Sequence, residues 1–268
     1  MFLRSPKFLC VIALAAAPIA SGQKDLRVCA DPDNMPFSNT HRQGFENRLA
    51  ELVANSLGEQ LTYVWQRMGR GFVRDYLNNS TCDLLIGIPQ NYRPVLTTAA
   101  YYRSTYVFVT RRDQAPQISS FNSEELRGSK IGVQVLDENY TPPGEALARR
   151  GLQSEIRGFD TTGEDAGSII QAVLKRNVDV AVIWGPLAGY FVRQHPDVLR
   201  MAPVEPEVDP PGLPFTFAIS MGVRKGNHGL RDQLNTFLKN HVKEIHAILD
   251  TYGVPQLPLA PTEEKATD

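Results

Sequence analysis

Apolar residues in this chain recur at two spacings, and the switching between them sets out the elements. Leu26 to Ala30 (LRVCA) forms a short apolar run that the turn Asp31-Pro32-Asp33-Asn34 ends, because proline cannot join a ladder and Asx side chains favour turns. Phe45, Leu49, Leu52, Val53 and Leu57 then fall at helical spacing, and Gly58 supplies a left-handed stop. Leu61 to Trp65 alternates as a strand. Phe72, Val73, Tyr76 and Leu77 give a shorter helical face, and LLIGI at Leu84 to Ile88 reads as a strand covered on both sides.

A second unit repeats the order without repeating the sequence. Lys130 to Val135 is a strand preceded by a capping-box start at Asn122 to Glu125; Ile169, Ile170, Val173 and Leu174 predict a helix, Val178 to Ile183 another strand, and Pro186 the first turn of a helix. Tyr106 to Thr110 and Phe215 to Met221 read as extended crossovers between the units. Leu230, Leu234, Phe237, Leu238, Val242, Ile245 and Leu249 lie on one stripe of a final helix that should pack on the first unit. Pro203 to Pro214, rich in proline and acid, reads as a surface loop. Strand-helix alternation of this kind predicts parallel sheets with right-handed crossovers. The expected fold class is α/β, with two doubly wound α/β lobes joined by two crossover strands. Lobe 1 is expected over 23–110 and 215–261, lobe 2 over 111–214, and a disordered tail over 262–268.

The amino end changes the picture of where such a fold would act. Arg4 and Lys7 precede the apolar run Phe8 to Ala17, and small residues follow to Gly22, the order of a cleavable secretory signal over 1–22. That run is too short for a membrane span, which needs about 20 residues. The expected compartment is the periplasm. Loss of residues 1–22 removes two basic residues and no acids, taking the net charge from −1 to −3, a balance that implies no nucleic-acid partner. Of the three cysteines, Cys29 and Cys82 remain, and an oxidising compartment favours pairing them over keeping two buried thiols. The pairing needs an offset of about one turn of chain if their segments are neighbouring strands.

Several segments carry a family likeness: LRVCADPDNMPFSN, GFENRLAELVANSLG, CDLLIGIP, AAYYRSTYVFV and ELRGSKIGVQV resemble the type II periplasmic solute-binding proteins from Leu26 to about Val254. VCADPDNMPFSN, GFVRDYLNNSTCD, VLTTAAYYRSTYVFV and VIWGPLAGYF resemble, more narrowly, the MoxJ/XoxJ branch. That resemblance implies a periplasmic, non-catalytic protein that assists maturation or activation of a partner, a quinoprotein (PQQ-dependent) methanol or alcohol dehydrogenase. It implies no cofactor of the chain's own. The alternative is a transport receptor for a small anionic or aromatic solute.

In a doubly wound sheet, ligands sit at the carboxyl ends of the strands. Here the segments at that edge are Asp31 to Ser38, Gly87 to Arg93, Gln134 to Asn139 and Trp184 to Pro186. The candidate binding residues are Asp31, Phe37, Gly87, Tyr92, Arg93, Tyr102, Gln134 and Trp184. Arg67 and Arg70, with Phe72 opening the second helix, form a cluster suited to an anion. Amino-acid-binding relatives place an arginine against the ligand carboxylate and an aspartate against its ammonium. Aligned on Tyr101-Tyr102, the arginine position falls on Asn91, two residues from Arg93, and the acid position falls on Trp184. A buried ammonium lacking its carboxylate costs several kcal/mol, which argues against an ordinary amino acid. Glu138 is the one obvious cleft carboxylate, without a nucleophile and base beside it. Met35 and Pro36 interrupt the calcium-loop spacing begun by Asp31 and Asp33.

Overall fold

A computed structural model describes residues 24–67, 69, 72–114, 118–136 and 139–259. The expected leader at 1–22 and the tail at 262–268 lie outside the described residues. In chain order the main elements are β1 (Asp25–Ala30), α1 (Phe45–Leu57), β2 (Gln60–Trp65), a π-helical turn (Val73–Asn78), β3 (Leu84–Pro89) and β4 (Tyr102–Arg111). They continue as β5 (Ile131–Leu136), α2 (Pro142–Arg149), β6 (Ile156–Asp160), α3 (Ser168–Leu174), β7 (Val180–Trp184) and α4 (Gly185–Val192). β8 (Leu199–Pro203), β9 (Thr216–Val223), α5 (His228–Asn240) and α6 (Val242–Thr251) complete the set.

The strands run β6-β5-β7-β4-β9-β3-β1-β2, with β8 on the other side of β4. β2, β1 and β3 are parallel in one lobe, and β6, β5 and β7 are parallel in the other. β4 and β9 link them: Tyr102–Thr105 pairs antiparallel with Thr216–Ile219, and the remainder of β4 pairs with β7. Two strands crossing between two α/β lobes is the type II periplasmic binding protein fold.

Each sheet is covered on both faces, the condition that produces unbroken apolar strands. In the first lobe α1, α5 and α6 bury Phe45, Leu49, Leu234 and Leu249 against β1 and β3. On the opposite face Phe72 and Leu77 pack around Cys29 and Cys82, which form a disulfide with Cα atoms 5.6 Å apart. Cys29 lies opposite Leu85 in the register. The one-turn offset is absorbed by the chain after the π-helical turn, where Thr81 N–H donates to Tyr76 O and Asp83 N–H to Arg27 O.

Three expectations need correction. The long final helix is two helices, broken at His241, whose φ of −117° is not helical and whose Nδ1 lies 3.0 Å from Phe237 O. The break turns Val242 off the stripe to 49 % exposure while Ile245 and Leu249 regain the core. The capping-box start yields only a 3-10 turn at Glu124–Leu126. The proline-rich segment is not simply surface: Val208–Asp209 pairs with Leu213–Pro214, and Asp209 is only 2 % exposed. Its carboxylate accepts bonds of 2.5 and 3.1 Å from Arg150. α2, β6 and β8 were absent from the pattern, being short and interrupted by glycine or proline.

Candidate functional site

The carboxyl ends of the strands face one another across a cavity of about 270 Å³. Five of its walls are aromatic: Phe37, Tyr102, Tyr106, Trp184 and Phe217. Trp184 ends β7 and stands edge-on to Tyr106 at 5.4 Å and to Phe217 at 5.8 Å. Gly87, Pro89, Gln134 and Ile219 fill the gaps. Gln134 is held from both ends, its Nε2 donating to Thr161 Oγ1 at 2.7 Å and its backbone O accepting from Thr141 Oγ1 at 2.7 Å. Its buried Oε1 has no partner among the described residues.

Beneath Gly87 lies a carboxyl group that the sequence pattern did not point to. Glu46 occupies the second position of α1, where Glu46 N–H donates to Phe37 O and Phe45 N–H to Pro36 O, both at 2.9 Å. Asn47 fixes the approach to the helix by accepting from the N–H groups of Asn39 and Gly44, each at 3.1 Å. The Glu46 carboxyl occupies the space that a side chain at Gly87 would fill, and Gly87 has a φ of +82°. Burial, and then the nearby Asp31 carboxyl, push Glu46 up from 4.5 to about 8. Asp31 is itself buried and accepts from Asp33 N–H at 3.0 Å. Tyr101 and Tyr102 are held well above their ordinary range, first by burial, and both also feel the Glu46 charge. The Tyr101 hydroxyl lies beside the Gly87 backbone amide without reaching hydrogen-bond geometry.

Of the residues expected at the site, the structure gathers Phe37, Gly87, Tyr102, Gln134 and Trp184 around the cavity, with Asp31 behind them. It does not bring the others there. Phe72 sits on the far face of the first sheet, with its ring 5.3 Å from Tyr76. Tyr92 is 41 % exposed and Arg93 is exposed. Arg67 is exposed and does not line the cavity: a Cβ on Gly163 would stand 3.6 Å from its Nη2 and 3.4 Å from Asp33 Oδ2. The hydroxyl and amide of Thr162, and then the Arg67 charge, hold Asp160 below the usual carboxylate range. Arg70 and Glu138 lie outside the described residues. Among the described residues, no lysine or arginine lines the cavity. Trp184 does stand at the strand end, and the Glu46 carboxyl packs against Gly87 outside the residues that line the cavity.

Residues 26–255 match the family of bacterial extracellular solute-binding proteins, family 3. This chain belongs to that family. It is 33% identical over 267 residues to Protein MoxJ of Methylorubrum extorquens, covering 92% of this chain and 86% of the relative. Among solved structures, MxaJ from Methlophaga aminisulfidivorans MPT superposes with a TM-score of 0.75 at 26% identity, covering 87% of this chain and all of that one. The periplasmic binding protein XoxJ from Methylobacterium extorquens AM1 gives 0.71 at 34% identity with the same coverage. The solute-binding protein described here is thus a member of the family similar to MoxJ, MxaJ and XoxJ along nearly its whole length. No helix among its described residues is long and apolar enough to cross a membrane.

Proposed function

We propose that this solute-binding protein acts in the bacterial periplasm as a non-catalytic accessory to a PQQ-dependent alcohol dehydrogenase of the methanol dehydrogenase type, assisting its maturation or activation. The observation that carries the reading is the likeness to MoxJ across 92% of the chain. The cleft supports it. An ordinary amino-acid receptor needs a fixed cation for the ligand carboxylate, and the cavity walls among the described residues are aromatic and uncharged. In this reading 23–110 with 215–261 and 111–214 are the two bodies that move about β4 and β9.

The second reading is a transport receptor. The aromatic walls favour an aromatic solute over an anionic one, because among the described residues no lysine or arginine lines the cavity to hold an anion. The two readings separate by affinity capture from periplasmic extract with the mature chain as bait. An accessory protein retains the quinoprotein dehydrogenase in the eluate. A receptor leaves it in the flow-through, and that result would remove the proposal.

A further inference from the structure

We propose that residues 252–257 form a latch on the crossover side of the molecule: rooted in the first lobe, they grip the second through α4, so that the two bodies keep one angle until this segment lets go. The latch begins where α6 ends. Gly253 stops that helix in a left-handed turn, φ +70°, with Gly253 N–H donating to Asp250 O and Val254 N–H to Leu249 O, each at 3.0 Å. The turn sends the chain off the helix axis while Val254, 5 % exposed, stays in the first-lobe core with Leu249. Tyr252 is fastened there too, its ring 5.9 Å from that of Phe45. Farther on, Ser104 Oγ donates to Pro255 O at 2.7 Å and Leu257 N–H to Arg103 O at 2.8 Å, which lays the segment against the crossover stretch of β4.

From the other lobe α4 meets this segment. Leu187, Ala188 and Val192 are buried with Val107, Val109 and Ile183 in the core of the second lobe. Gly185 and Gly189, one turn apart and so on one edge of the helix, face the latch. A Cβ on Gly189 would overlap Gly253 O, and one on Gly185 would stand 2.5 Å from Thr105 O and 3.1 Å from Pro255 Cγ. Backbone thus rests on backbone at Gly189, with no side chain between to yield. Tyr190 stacks on Tyr252 with ring centroids 6.0 Å apart, and Arg193 Nη1 donates to Asp250 O at 3.3 Å.

A hinge of two strands alone turns readily, because a few backbone dihedrals absorb the rotation. Here any rotation of the second lobe carries α4 with it and must pull Gly189 off Gly253 or drive it in. Packed surfaces of this kind hold discrete arrangements and do not deform by degrees. The bodies therefore share one angle in the absence of a ligand, unlike a receptor that reports its solute by closing. The inference stands apart from the accessory role, since the angle is read on the isolated chain.

The test is the distance between spin labels on the mature chain, at Ser56→Cys in the first lobe and Gln153→Cys in the second, measured by pulsed electron resonance without ligand. Both sites are exposed, and Cys29 and Cys82 are taken up in their disulfide. The labelled chain should give one narrow distance. Gly189→Leu, which wedges α4 off the latch, should broaden the distribution at least twofold or add a second distance. If that variant does not fold by circular dichroism, the paired change Ser104→Ala, Arg193→Ala should show the broadening instead. Two or more distances before any latch substitution, or an unchanged narrow distance in the folded variant, would overturn the inference.

Discussion

The Glu46 carboxyl fills the space in which a side chain at Gly87 would stand, joining the first turn of α1 to an apolar strand that leads into the cleft. Gly87 also has a φ of +82°, a conformation that L side chains seldom adopt. Gly87→Ala should therefore meet both strain and overlap. Urea unfolding should show a loss of about 2 kcal/mol or more. A change below about 0.5 kcal/mol would mean that Glu46 moves aside freely.

Glu46 also makes stability depend on pH with a defined sign. Its proton is released near 4.5 in the unfolded chain and near 8 in the folded one, so between these values the folded state binds more protons. Stability should fall as pH rises through that window, by up to about 1.4 kcal/mol per pH unit. Glu46→Gln should flatten this limb and gain most over the wild type at and above pH 8. Thermal unfolding from pH 5 to 9 measures both; parallel curves for the two proteins would contradict the assignment.

Much of this arrangement was legible in the sequence, and the exceptions have physical causes. Trp184 could be placed because it ends the apolar run Val178 to Ile183, and Tyr102 because the Tyr101-Tyr102 pair resembles that of the family. Glu46 could not, because an acid in the first turn of an amphipathic helix reads as a partner of the helix dipole. Its aim depends on the loop from Phe37 to Gly44, whose packing is tertiary. The available signal was Gly87 itself, since a lone glycine inside LLIGI marks a close approach. The helix break at His241 was hidden because Val242 kept the apolar spacing while the backbone turned it to solvent. Phe72 was assigned to the cleft mouth because it opens the second helix, yet that helix covers the far face of the sheet.

The Cys29–Cys82 bond closes a sequence separation of 53 residues in the lobe that carries Glu46. Chain entropy gives such a loop about 4 kcal/mol of stabilisation. The double variant Cys29→Ala, Cys82→Ala should unfold at correspondingly lower urea concentration, and reductant should lower the wild type toward it. A wild type whose midpoint is the same with and without reductant would show the bond to be immaterial.

Asp209 holds the return crossover onto α2 through Arg150, with a side chain almost wholly removed from solvent. Asp209→Ala should cost about 3 kcal/mol by leaving Arg150 without its carboxylate, its bonds to Asn122 Oδ1 and Ala146 O remaining. Asp209→Asn, which keeps acceptor geometry, should cost less. Equal losses in the two variants would assign the effect to packing instead of charge.

An accessory role toward a quinoprotein dehydrogenase predicts a specific defect in cells from which this gene has been deleted. PQQ-dependent alcohol dehydrogenase activity and cofactor occupancy, measured per mole of dehydrogenase polypeptide, should fall and return when the full chain is restored. Unchanged specific activity and occupancy in the deleted strain would contradict it.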